Sequence, residues 1–283
     1  MPYTIEREIG RGGMGAVFLG KDEQGQQVAI KMLSNRFTCY PDYRELFESE
    51  VKSLKTLSSQ YVVKVLGDKF EDPEGNYYVP MEYIRGEDIE HRVRRQGLMD
   101  YRDAITMMEE ILDAIQDVHN QNIIHRDIKP SNIMIRDNGH ICIIDFGIAK
   151  DARVGSTGKT VGTIIGTDGY MSPEQATGLN IDKRTDIYSL GCVLYFMLTG
   201  RHAVIQGGNS QENLNAILNG SMPRPSSIVP NIPQELDAVY LRAVDKNMLN
   251  RYSSAAEFKS ELQAILLPRS PQVTVGRGSD NDI

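Results

Sequence analysis

Between His125 and Asn132 the chain gathers an acid, cations and an amide into one short run, His125-Arg126-Asp127-Ile128-Lys129-Pro130-Ser131-Asn132, and a second acid follows in Asp145-Phe146-Gly147. The apolar runs Ile133-Met134-Ile135 and Ile141-Cys142-Ile143-Ile144 read as two short buried strands joined by a turn at Asp137-Asn138-Gly139. A loop held by such strands can bring an acid, a cation, an amide and a second acid to bear on one reacting centre. Taken alone the stretch also fits a polar hairpin loop with no chemistry. What decides is whether elements able to position partners for it lie elsewhere in the chain.

Two such elements lie upstream. Residues 3–33 alternate as strands and turns, and they contain Gly10-Arg11-Gly12-Gly13-Met14-Gly15-Ala16-Val17. Glycines at 10, 12 and 15 let a backbone approach phosphate groups without a Cβ clash while amide N–H groups point at them. A dinucleotide-binding fingerprint shares this spacing but opens a helix. The next apolar element in this chain is another strand, so a glycine-rich β-hairpin fits better, with a plain glycine turn as the competing reading.

Val28-Ala29-Ile30-Lys31 then ends a strand on a lysine. Residues 43–57 read as a helix with Leu46, Phe47, Val51, Leu54 and Leu57 on one stripe. At about 100° per residue Glu50 falls near the middle of that stripe, while Glu45 and Glu48 fall opposite. An acid on a buried face needs a charged partner, and Lys31 is the natural one.

Composition bounds the rest. The 283 residues carry a formal charge of −7, which argues against broad binding to nucleic acid or to an anionic membrane surface. Cys39, Cys142 and Cys192 are few and widely spaced, as expected of a protein of the reducing cytosol. Asp186 and the apolar run Ile187 to Leu198 read as a buried core helix too short to span a membrane, and no membrane segment is expected in this chain. Residues 61–84 read as two strands around a turn at Asp72-Pro73-Glu74-Gly75, with Pro80 an oddity inside the second. Helices are expected at 87–96, 101–120 and 253–266, and residues 201–233 read as loop. Gly155-Ser156-Thr157-Gly158-Lys159-Thr160 mimics a phosphate-binding P-loop, but Arg153 stands where that loop needs its first glycine, so the reading is rejected.

In their order these motifs resemble the bacterial serine/threonine protein kinases of the eukaryotic type. The resemblance runs from residue 3 to about 267 and rests on the glycine loop, Val28-Ala29-Ile30-Lys31, Glu50, the His125 to Asn132 stretch, Asp145-Phe146-Gly147, Ser172-Pro173-Glu174 and Arg251. It implies an α+β, two-lobed protein kinase fold, with a small β-rich N-lobe over about 3–84 and a large, mainly helical C-lobe over about 86–267. It implies a serine/threonine kinase that moves the γ-phosphate of ATP to protein hydroxyls, with protein substrates as partners and, further, a transient dimer.

By the same resemblance Ile9, Gly10, Arg11, Gly12, Gly13, Met14, Gly15, Ala16 and Val17 would cover the ATP phosphates, and Lys31, fixed by Glu50, would pair with them. Met81 would guard the back of an adenine pocket whose edge meets backbone groups of Glu82 and Ile84. Asp127 would orient the substrate hydroxyl and take its proton, and Lys129 would offset charge at the γ-phosphate. Asn132 and Asp145 would hold Mg2+ or Mn2+, hard ions that also take phosphate oxygens. Arg126 would face a phosphate on the activation segment, where Ser156, Thr157, Thr160 and Thr163 are candidate acceptors. Thr167 would instead bridge Asp127 and Lys129. Asp186 would accept backbone N–H groups from the catalytic loop, and Arg251 would pair with buried Glu174.

Residues 268–283 read as a linker followed by Val273-Thr274-Val275-Gly276-Arg277, which resembles the first strand of a forkhead-associated domain cut from a longer protein and would read phosphothreonine proteins. The alternative to catalysis is a nucleotide-binding pseudokinase scaffold that presents this module. The complete set of Lys31, Glu50, Asp127, Asn132 and Asp145 argues against it.

Overall fold

The structure is a computed structural model that describes residues 3–12, 15–146, 168–179, 181–204 and 209–267. Its first half builds a five-stranded antiparallel sheet from β1 (Thr4–Arg11), β2 (Gly15–Lys21), β3 (Gln27–Leu33), β4 (Phe70–Glu71) and β5 (Tyr77–Glu82), in the order β1-β2-β3-β5-β4. Two of its turns use one device. Asp22 Oδ1 accepts the backbone N–H groups of Gln24 and Gln26 at 3.0 and 2.8 Å, and Asp72 Oδ1 accepts those of Glu74 and Asn76 at 2.9 Å each. Gly25 and Gly75 supply the positive φ, 79° and 82°, that closes each turn.

The strand expected before the Asp72 turn is only the two residues of β4. Residues 61–66 instead divide their hydrogen bonds between two sheets. Val63 N–H donates to Ile143 O and Ile143 N–H to Tyr61 O, while Leu66 N–H donates to Pro80 O at 2.9 Å. A stretch shared in this way bridges the sheets and cannot run as one strand. The same bond explains Pro80. Amide and carbonyl of one strand residue face the same neighbour, so the missing donor faces the loose Leu66 side and not the β3 ladder, where Pro80 lies opposite Ile30.

Two helices join β3 to β4: the short α1 (Asn35–Thr38) and α2 (Pro41–Thr56). Phe47, Glu50 and Leu54 are buried on the inner face of α2. After Glu82 the chain passes to a second, three-stranded sheet of β6 (Gly86–Asp88), β7 (Ile133–Arg136) and β8 (Ile141–Ile143). Gly86 starts it at φ 144°, and a Cβ there would lie 1.9 Å from Ile135 O, so only glycine lets β6 reach β7.

The other described residues fold mainly as helices: α3 (Ile89–Gln96), α4 (Tyr101–Asn120), α5 (Pro173–Thr177), α6 (Arg184–Thr199), α7 (Ser210–Asn219), α8 (Gln234–Ala243) and α9 (Ala255–Leu266). Every residue of α6 from Thr185 to Thr199 is buried, which makes it the axis of this half. α7 corrects the loop expected over 201–233. Asn209 caps it by accepting Glu212 N–H at 2.9 Å, and Ile217 anchors it in the interior. Among the described residues no helix is long and apolar enough to cross a membrane.

Candidate active site

The catalytic stretch is hung from α6. Asp186, fully buried in the first turn of that helix, accepts the backbone N–H groups of His125 (Oδ2, 2.9 Å) and Arg126 (Oδ1, 2.8 Å). It also accepts from Nε2 of buried His119, at the end of α4, at 2.8 Å. His119 belongs to none of the motifs read from the sequence. No local signal pairs it with a residue 67 positions on.

Held in this way, Arg126 takes φ 66°, in the left-handed region that non-glycine residues avoid. Asp127 N–H donates to His125 Nδ1 at 3.2 Å, and the His125 ring lies 4.3 Å from the Phe146 ring. Asn132 Nδ2 donates to both the backbone and the carboxylate oxygens of Asp127, at 2.8 and 3.1 Å. Lys129 Nζ stands 3.4 Å from the same carboxylate. Acid, cation and amide therefore converge on one point.

The second acid arrives from β8. Lys31 Nζ on β3 lies 2.6 Å from Glu50 Oε1 on α2 and 2.6 Å from Asp145 Oδ1. Burial acts to lower the Lys31 ammonium, but the charges of Asp145 and Glu50 outweigh it and hold the group raised. Burial pushes the Glu50 carboxyl up to about 7, against the pull of Lys31. Burial also opposes ionisation of Asp145, yet Lys31 and then Lys129 keep its carboxyl below the usual range. Asp145 is 41% exposed against 4% for Glu50, so Asp145 is the acid that opens onto the cleft.

These donors suit a hard cation that keeps other oxygen ligands. Asn132 spends Nδ2 on Asp127, which leaves Oδ1 as its donor atom, and Asp145 adds a carboxylate. Among the described residues no cluster of three or more acids, histidines or cysteines could hold a metal alone. Two oxygen donors of this kind fit Mg2+, which takes one or two protein oxygens and completes its shell from phosphate and water.

Gly10, Gly12 and Gly15 of the β1–β2 hairpin are not equivalent. A Cβ on Gly12 would meet nothing within 4 Å and one on Gly10 only Val17 Cβ at 3.9 Å, but one on Gly15 would lie 1.7 Å from Met32 O on β3. Gly15 is thus a packing requirement, whereas Gly10 and Gly12 face open space. Gly15→Ala should therefore lower the melting temperature, costing about 1–3 kcal/mol. Gly12→Ala should leave stability unchanged and weaken ATP binding roughly tenfold, about 1.4 kcal/mol. Thermal melts and nucleotide titration of both variants check this, and equal melting losses would refute the division.

Across the hairpin Val17 faces Lys31, Ala16 is buried, and exposed Arg11 binds Glu8 with its Nε 2.9 Å from Oε1. Ile9 is part exposed on β1. Met81 is buried, and Glu82 beside it donates its N–H to Lys64 O at 2.8 Å. The Glu82 carboxylate takes Arg136 Nη1 of β7 at 2.7 Å, tying one sheet to the other. Gly13, Met14, Gly147, Ser156, Thr157, Thr160, Thr163 and Thr167 lie outside the described residues.

Further down, Arg251 binds Glu174 through two bonds of 2.7 and 2.9 Å, and Thr185 Oγ1 donates to the same carboxylate at 2.7 Å. This anchors α5 to the base of α6.

The protein kinase domain family model matches residues 3–262. Serine/threonine-protein kinase PknE of Mycobacterium bovis is 34% identical over 269 residues, which cover 94% of this chain and 46% of the relative. Probable serine/threonine-protein kinase PknB of Bifidobacterium longum is 34% identical over 270 residues, 92% of this chain and 39% of the relative. The chain thus spans less than half the length of these curated relatives. The crystal structure of the Mycobacterium tuberculosis PknI kinase domain matches with a TM-score of 0.72 at 22% identity, over 93% of this chain and 96% of that one, a likeness that bears on fold alone. By the family model, and by relatives a third identical along nearly all of it, this chain belongs to the protein kinase family.

Proposed function

We propose that the chain is an ATP- and Mg2+-dependent protein serine/threonine kinase of the cytoplasm, with its catalytic domain over residues 3–267, divided near Gly86. The observation that carries this reading is the meeting of Lys31, Glu50 and Asp145 within 2.6 Å contacts, next to the Asp127, Lys129 and Asn132 cluster. Phosphoryl transfer asks a protein mainly for positioning and charge neutralisation.

Each part has a task under this reading. Asp127 orients the acceptor hydroxyl and takes its proton. Lys129, beside it, offsets charge that grows on the transferred group. Lys31 holds the nucleotide phosphates and is itself held by Glu50. Asn132 and Asp145 hold the divalent ion, which when bound neutralises phosphate charge. Arg126 makes activity depend on phosphorylation within 156–163. For residues 268–283 the Gly276-Arg277 pair supports a reading as the start of a phosphothreonine-binding domain.

Intact-mass measurement of the purified chain after incubation with Mg·ATP, with and without phosphatase, tests the proposal. Phosphatase-sensitive mass adducts are expected on the unmodified sequence and not on Asp127→Asn. If neither chain labels itself or a generic basic protein, the chain is no kinase.

A further inference from the structure

Gln175 stands outside every motif read from the sequence, and its side-chain amide is held at both ends. Oε1 accepts the backbone N–H of Ser172 at 3.1 Å, while Ser172 Oγ accepts the N–H of Gln175 at 3.3 Å, a capping box at the start of α5. Nε2 donates to the backbone carbonyl of Arg126 at 2.8 Å. These partners also settle which end of the amide is which, since the Ser172 N–H needs an acceptor and the Arg126 carbonyl needs a donor.

The bond falls at a strained place. Arg126 sits at φ 66°, a conformation that persists only where the surroundings hold it. Its N–H is bound by Asp186 of α6 at 2.8 Å and its carbonyl by Gln175 of α5. The two helices thus clamp Arg126 from both sides. The carbonyl in question belongs to the peptide that joins Arg126 to Asp127, so the clamp acts next to the acid whose direction matters most.

Resting on the kinase reading above, the geometry points to Gln175 as a positioning residue for phosphoryl transfer. Its Nε2 donor fixes the Arg126–Asp127 peptide and, through it, the direction of the Asp127 carboxylate. Because Ser172 caps the same helix directly after Tyr170-Met171, the Gln175 side chain ties the start of α5 to the catalytic loop.

Gln175→Glu separates the two jobs of the residue. Glutamate serves the capping box as well as glutamine does and has the same length, but it sets oxygen against oxygen at Arg126. Expected are a fall in kcat of about tenfold or more, a KM for ATP within about twofold and an unchanged melting temperature. Backbone hydrogen exchange over residues 124–132 of the unliganded protein should also quicken about tenfold. Gln175→Met drops both bonds and should lose kcat equally while also melting lower. If Gln175 merely caps α5, Gln175→Glu will keep wild-type kcat and exchange, and the inference is overturned. Should the glutamate variant not fold, wild-type kcat and exchange in Gln175→Met would overturn it instead. The exchange measurement needs no turnover. An inactive wild type whose glutamate variant still exchanges faster refutes the kinase reading and keeps the clamp, whereas an active wild type with unchanged exchange in the variant refutes the clamp alone.

Discussion

Asp127→Asn is expected to lower kcat by roughly 10²–10⁴-fold, or about 3–5 kcal/mol of barrier, the range a positioned general base supplies. The fold should survive the change. Asparagine keeps the shape of aspartate and can still accept from Asn132 Nδ2, which now sits 3.1 Å from the carboxylate and 2.8 Å from the backbone oxygen. What it loses is the proton acceptor and the negative charge 3.4 Å from Lys129. Asp127 takes no part in the bonds from Lys31 to Glu50 and Asp145, so KM for ATP should hardly move. Steady-state kinetics on wild type and variant brought to the same phosphorylation state, with melting curves beside them, measure both quantities. A variant within tenfold of wild type would remove Asp127 from the chemistry.

Arg251→Met is the largest effect on stability that the structure predicts. Arg251 and Glu174 are 0% and 6% exposed, and the methionine would leave an uncompensated carboxylate in the interior. Breaking a buried pair from one side costs about 3–5 kcal/mol. For a domain of this size that is a melting loss of roughly 6–20 °C. Arg251 also donates Nε to Asp245 O at 2.7 Å and Nη1 to Arg184 O at 3.0 Å, so two backbone carbonyls lose a partner as well. Changing both members, Glu174→Gln with Arg251→Met, should recover part of the loss.

The pH dependence identifies the cause. Burial acts to raise the Glu174 carboxyl, but its bonds to Arg251, that cation's charge and the Thr185 hydroxyl outweigh burial and hold it below its usual value. A depressed acid stabilises the fold above its unfolded pKa of about 4.3, and that contribution is lost as the pH falls through the folded value. In Arg251→Met only the Thr185 hydroxyl is left to oppose burial, and the shift reverses. The native state then binds the proton more tightly than the unfolded chain, and stability falls as pH rises. The gap between wild type and variant should therefore widen from about pH 5 to pH 8 in denaturant titrations. A gap that stays constant would mean the loss is one of packing.

What could be read beforehand depended on whether a local pattern carried the information. Glu50 was legible because helical periodicity set an acid on an apolar face, and an acid there needs a cation. Lys31 was the cation named, and the two lie 2.6 Å apart. The two-lobed fold followed from motifs in series and matches the sheets and helices found. Other features had no local signal. Gln175 reaches Arg126 across 49 positions, a pairing that only the packing of α5 creates. Spacing treats Gly10, Gly12 and Gly15 alike, and only the approach of Met32 O tells the third from the others. α7 had a signal in Asn209 and Glu212, spaced as cap and third residue, but nearby glycines and prolines drew the reading toward loop. The first of the two strands expected over residues 61–84 shrinks to β4 because the backbone bonds of residues 61–66 serve two sheets at once.

Asp186 carries one carboxylate and three obligations: the His119 ring and the backbone amides of His125 and Arg126. In evolutionary terms this makes position 186 a point of strong epistasis. Residues sharing one network do not add, so the worth of a change at 119 depends on what stands at 186. Once 186 is altered, a later change at 119 has little left to lose. With 186 intact, the same change disturbs the suspension of the whole catalytic loop. Drift at these two distant sites is therefore coupled, and a lineage can leave the pair by few routes that keep the loop in place.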